Sequence, residues 1–178
     1  MSHRTGLVVA NLRLLERAQE LLARVPTAVH AGGEGVARPT GPHFRHVLEH
    51  YSCFLAGVAE RRVDYDSRPR EAALEVDPAA ASQRARELLD GLGALADNLL
   101  ETPLEVRLEC GEGRESDQWS RSTVRRELQF LLSHTVHHYA LIGLLLDQQG
   151  IDPGPDFGVA PSTLRHWREQ PACAPHPG

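Results

Sequence analysis

The stretch Ser133-His134-Thr135-Val136-His137-His138-Tyr139 decides how this chain is read. It lies in a run from Arg121 to Gln149 with no internal proline and, apart from Gly143, no internal glycine. Within that run Leu128, Leu131, Leu132, Thr135, His138, Tyr139, Ile142 and Leu145 or Leu146 recur at three- and four-residue steps, the period of one buried helical face. His134 and His138 fall on that inward stripe. They stand one turn apart, roughly 6 Å along the axis, so both imidazoles can converge on a single metal ion if a third ligand arrives from elsewhere. The competing reading is a pair of ordinary half-buried histidines hydrogen-bonded to neighbours.

A second window shifts the balance. Gly41-Pro42-His43-Phe44-Arg45-His46-Val47-Leu48-Glu49-His50-Tyr51-Ser52-Cys53-Phe54 opens another helix, with proline in its first turn. His43, His46, His50 and Cys53 share one face at steps of three, four and three. With His30, these two windows hold seven of the ten histidines. Packing alone explains such clustering poorly, because each neutral imidazole in a core needs partners for both nitrogens. Cys53 is read as a buried core thiol; as a ligand it would make the site mixed and more closed.

Around these helices the pattern predicts two more. Residues 6 to 25 carry an apolar stripe from Leu7 to Val25 with Arg13, Arg17, Glu20 and Arg24 opposite. Asp77 as N-cap and Pro78 at the first position start a third helix that runs to about residue 100, with Pro103 ending it. Between the first and second helices, Pro26 to Pro42 reads as a long surface loop, with His30 solvated. Val63 to Glu71 has no stripe and reads as a polar connector, or as a segment that brings Tyr65, Asp66 or Arg68 over the pocket.

Leu104 to Cys110 alternates strictly, so it is expected as a short half-exposed strand; Gly111 to Gly113 turns, and Trp119 belongs to a return strand. The expectation is a small β-hairpin inserted before the last long helix, which Ser120 or Ser122 caps and Gly150 closes. Glu127 precedes Leu131, His134 and His138 on the same stripe. It either points toward the histidines, to orient an imidazole or act as a base, or pairs with an arginine such as Arg45 or Arg126. After Pro153 the chain is extended, Ser162 to Trp167 forms one helical turn, and Cys173 to Gly178 frays.

The whole is expected as one all-α domain over residues 1–178, a four-helix bundle over about 6–150 with an extension over 151–178. Nineteen basic against twenty-four acidic residues give a net charge of −5, with no basic run, so neither nucleic acid nor an anionic membrane is an expected partner. No apolar run reaches 18 residues, no signal-peptide pattern stands at the start, and the three cysteines suggest reduced thiols; the expected location is cytoplasmic. A homodimer is compatible with this size.

His46 and His50 on the second helix, the long loop before them, and the His134-x-x-His137-His138 run on the last helix resemble the DinB/YfiT-like superfamily of metal-binding four-helix proteins. That superfamily includes bacillithiol transferases, mycothiol-dependent maleylpyruvate isomerases and the N-terminal domain of ergothioneine sulfoxide synthases. The resemblance covers about residues 6 to 150. It implies one divalent metal, zinc or nickel and sometimes iron, held by His134, His138 and one histidine of the second helix, His46 or else His50. His137 matches a histidine that stands between the ligands. None of the 178 residues reads as the lectin-like domain of the sulfoxide synthases, so sulfoxide chemistry is not expected.

The function expected from the resemblance is a metal-dependent thiol S-transferase acting on a small molecule, with a low-molecular-weight thiol as partner. Metal-dependent hydrolysis at the same site, or a non-enzymatic metal-binding stress or interaction protein, are the alternatives. Glu127, Glu49 and His137 are the candidates for a general base.

Overall fold

The protein is described here by a computed structural model over residues 5–109 and 119–169. Its body is helical. The amphipathic runs form α1 (Gly6–Leu22), α3 (Gly41–Glu60), α5 (Pro78–Gly93) and α6 (Val124–Asp147), joined by the short helices α2 (Thr27–Ala31) and α4 (Ala73–Val76) and followed by α7 (Pro161–Glu169). α1 packs on α5 and α6, and α3 packs on the same two, so each long helix has two long neighbours. Their inward faces supply the core: Leu15, Tyr51, Phe54, Leu88, Leu92, Leu128, Tyr139 and Ile142 are all buried.

One polar network threads this core. Asn11 donates to the carbonyls of Leu7 (2.9 Å) and Leu128 (3.2 Å) and accepts from the Tyr51 hydroxyl at 2.7 Å. Since an unpaired buried amide or phenol costs about 1–3 kcal/mol, these bonds fix the register of α1, α3 and α6 against one another.

Helix boundaries follow local chemistry. Asp77 caps α5 through Ala79 N at 2.9 Å, with Pro78 behind it, as the sequence predicts. α5 stops at Gly93, short of residue 100, and a single 3-10 turn (Asp97–Leu99) follows. Two glycines in the last turn, Gly91 and Gly93, make that end weak. α6 is capped by Thr123, whose Oγ1 accepts from Arg126 N at 3.2 Å, and not by Ser120 or Ser122. Gly150 closes it in the left-handed region at φ +67°.

The expected hairpin is a three-stranded mixed sheet. β1 (Arg62–Asp64) pairs in parallel with β2 (Pro103–Arg107), which pairs antiparallel with β3 (Ser120–Thr123). β1 therefore lies in what reads as a polar connector. Gly57 makes this possible: a Cβ there would stand 2.4 Å from the Arg62 carbonyl oxygen, so only glycine lets β1 fold back against α3. Pro103 opens β2 instead of ending a helix. Trp119, immediately before β3, lies under the guanidinium of Arg62, 3.8 Å from its ring centroid. The expected turn at residues 111–113, the strand end at Cys110 and the frayed end after Cys173 lie outside the described residues.

Beyond α6 the chain crosses back over the helices. Phe157 stacks on Tyr139 at 4.6 Å with 7° between the rings, and Arg24 donates to the Asp152 carbonyl at 2.8 Å. Among the described residues, no helix is long and apolar enough to cross a membrane.

Candidate metal centre

α3 and α6 lie side by side, and the histidine faces of both turn toward the same place. His46, His134 and His138 each offer a ring nitrogen within 4.8 Å of the other two. Their ring centroids are 5.0 Å (His46 to His134), 4.6 Å (His46 to His138) and 4.6 Å (His134 to His138) apart. All three rings are half-buried. Nothing in the backbone forces this beyond helical period: α3 offers His46 on the face it shares with His43 and His50, and α6 offers its pair one turn apart.

His50 also approaches, 4.3 Å from His46 and 4.4 Å from His134 between centroids, but both of its nitrogens are engaged. Its Nδ1 lies 2.7 Å from the His46 carbonyl oxygen and can only donate there, which leaves Nε2 as the acceptor that meets Arg68 Nη1 at 3.3 Å. By contrast, Nε2 of His134 is buried and has no hydrogen-bond partner among the described residues. An imidazole nitrogen left bare beside two more histidines suits a borderline-soft divalent cation such as zinc or nickel. The donor set therefore fits the metal that the resemblance implies.

Electrostatics keep these rings in the neutral form. Burial lowers the His46 pKa to about 2, with repulsion from His50, His138, His134 and Arg68 adding to it. Burial takes His50 to about 3, against the opposing effect of its bond to the His46 carbonyl, and His138 to about 4. His134 shifts the same way, again chiefly through burial. Neutral imidazole is the form that binds a metal, so these rings would lose no proton in taking one up at neutral pH.

Around the three rings, His43 brings its Nδ1 to 3.0 Å from Nδ1 of His138, the position of an orienting partner for that ring. Phe130 stacks on His134 (5.3 Å, 24°), and Tyr65 stacks on His50 (5.4 Å, 26°). Phe130 carries no chemical signature in the sequence, although its place four residues before His134 was enough to put it on that face.

The two carboxylate candidates for a base are hydrogen-bonded to groups other than the imidazoles, whereas His137 lies against one of them. Glu127 is buried and accepts from Tyr65 Oη at 3.0 Å and from the Ser122 hydroxyl; it pairs with neither Arg45 nor Arg126. Arg45 instead meets Glu75 at 2.8 Å. Glu49, 1 % exposed, accepts from Glu71 N at 2.7 Å, while its other oxygen has no partner among the described residues. His137 is exposed, with its ring edge-on to His138 at 5.3 Å. Cys53 is half-buried, and burial pushes its thiol pKa up, as expected of a packing thiol. His30 is fully buried, not solvated: its Nε2 bonds the Leu74 carbonyl at 3.0 Å.

No family model matches the chain, and no solved structure matches it. The chain is similar to FK506-binding protein 5 of Rhizopus delemar, 31% identical over 108 residues, which is 61% of this chain and 28% of that protein. The chain thus spans less than a third of the length of that curated relative.

Proposed function

We propose that this chain is a metal-dependent enzyme of the DinB/YfiT-like superfamily, built as a four-helix bundle from α1, α3, α5 and α6. On this reading His46, His134 and His138 hold one divalent ion, and the reaction is thiol S-transfer to a small electrophile. The observation that carries it is the convergence of three neutral imidazoles, one with a buried nitrogen that has no partner among the described residues. Three protein ligands leave coordination room for a reactant, the pattern of a catalytic site.

A bound zinc or nickel ion supplies one thing here: it lowers the proton affinity of a thiol or water brought to it. The chain does the rest. His43 steadies His138, His50 is spoken for by Arg68 and the His46 carbonyl, and Phe130 and Tyr65 wall the cluster with aromatic surface. Among the three candidate bases, His137 is the exposed one and stands beside a ligand, so it is the group placed to take a proton at the rim. Glu127 and Glu49 act as structural acceptors. The name of the fungal relative describes a protein more than three times the matched length and carries no ligand over to this chain.

The test is turnover. The zinc- or nickel-loaded protein is assayed for loss of a small thiol together with an alkylating electrophile. Consumption that stops with chelator and returns with metal supports transfer. Product formed from the electrophile at equal rate without thiol supports hydrolysis instead.

A further inference from the structure

The arginines of the fold are unevenly partnered. Arg17, Arg45, Arg62, Arg84, Arg107 and Arg125 each have a carboxylate within 4.0 Å. Arg68, half-buried beside His50, has none among the described residues. Its Nη1 is committed to the Tyr65 carbonyl and to His50 Nε2. The other edge of the guanidinium, Nε and Nη2, has no hydrogen-bond partner among the described residues. That edge is a planar two-donor fork, the shape that a carboxylate matches in bidentate fashion.

Among the carboxylates of the surrounding elements, Glu127 accepts from Tyr65 and Ser122, Asp64 pairs with Arg107, and Glu49 accepts from Glu71 N through Oε1; its buried Oε2 has no partner among the described residues, yet it does not come within 4.0 Å of Arg68. Nor is the segment that carries Arg68 loosely held. At one end Asp64 Oδ1 accepts from Asp66 N (3.0 Å) and Ser67 N (3.3 Å). At the other, Glu71 is tied to Glu49 and, at 2.9 Å, to Arg84, while Arg70 adopts φ +50° to complete the turn. Arg68 is half-buried, so water screens its charge in part, and an anionic ligand seated on the open edge would supply the counter-charge that the described residues leave out.

We propose that Arg68 is the anion-recognition residue of this site, and that the small molecule handled there carries a carboxylate, received on the Nε and Nη2 edge of Arg68 while its reacting end meets His46, His134 and His138. This rests on the metal-site reading above.

The experiment uses cobalt(II) in place of the native ion, with 3-mercaptopropionate and its uncharged counterpart 3-mercaptopropanol as probes. Binding is followed by the thiolate-to-cobalt charge-transfer band. The parent is expected to bind the acid about tenfold or more tightly than the alcohol, the worth of a charge-assisted hydrogen-bond pair. Arg68→Gln should bring that ratio close to one, and Arg68→Lys, which keeps the charge without the fork, should fall between. Circular dichroism checks that both variants are folded. Equal affinities in the parent, or a preference that survives in Arg68→Gln, overturn the proposal. Cobalt uptake, measured first, separates the two readings. A parent that takes up no cobalt fails the metal reading alone, and propionate against propanol on the metal-free chain, read by histidine NMR shifts, then decides Arg68: a shift with propionate that Arg68→Gln abolishes sustains it, and no such shift overturns it.

Discussion

Lowering the pH of the metal-free protein from 7 to 5 is expected to destabilise it by about 4 kcal/mol. In the unfolded chain an imidazole takes its proton near pH 6.5, whereas in the fold His46, His50 and His138 do so only at about 2, 3 and 4. Between those values and 6.5 the unfolded state binds more protons, so stability rises with pH, is fully present above about 6.5, and drains away as the pH falls. A fully depressed imidazole gives up about 1.36 kcal/mol per pH unit, or about 2 kcal/mol by pH 5. His50, 2 % exposed, carries that full amount. His46 and His138 are half-buried, so water screens them, and roughly half applies to each. Urea melts in the presence of a chelator read this directly: with a slope near 2 kcal/mol/M, the midpoint should drop by about 2 M between pH 7 and 5 at constant slope. His50→Gln should remove about half of that drop. Midpoints at the two pH values that agree to within about 0.3 M would refute the reasoning.

Other perturbations follow from single contacts. Gly158→Ala places a Cβ 2.5 Å from Ala140 N at a residue with φ +73°, and should cost roughly 2–4 kcal/mol in thermal or urea melts. Tyr65→Phe removes the 3.0 Å bond to buried Glu127 and should cost about 1–3 kcal/mol, with Glu127→Gln in the same chain recovering part of it. Chelation should leave the far-UV circular dichroism spectrum unchanged, because the core formed by α1, α3, α5 and α6 does not depend on the histidines.

The sequence disclosed the long helices because each must bury one stripe, and a 3.6-residue period is visible without any knowledge of partners. What it hid depended on distant pairing. β1 has three residues, and only Val63 among them is buried, too few to show a period; its pairing with β2 is set by residues about forty positions away. Ser120, Ser122 and Thr123 all have cap chemistry, and where the strand ends, not the residue type, selects Thr123. His30 sits in a stretch rich in glycine and proline, yet the Leu74 carbonyl of α4 draws it inside. At the candidate site, the shared face of His134 and His138 was legible from spacing alone. Which of His46 and His50 keeps a free ring nitrogen was not, since that turns on a backbone carbonyl and on Arg68, which the sequence leaves unplaced. Glu127 was correctly set on the inward stripe, but its partners Tyr65 and Ser122 come from the sheet side, which no helical period reports.

The most direct measurement is the metal content of the protein, purified with no metal added, beside a His134→Ala, His138→Ala double variant. The account predicts close to one equivalent of zinc, nickel or iron in the parent and its loss in the variant. A parent that holds no metal even after titration with zinc and nickel, or a folded variant that holds as much as the parent, would contradict it.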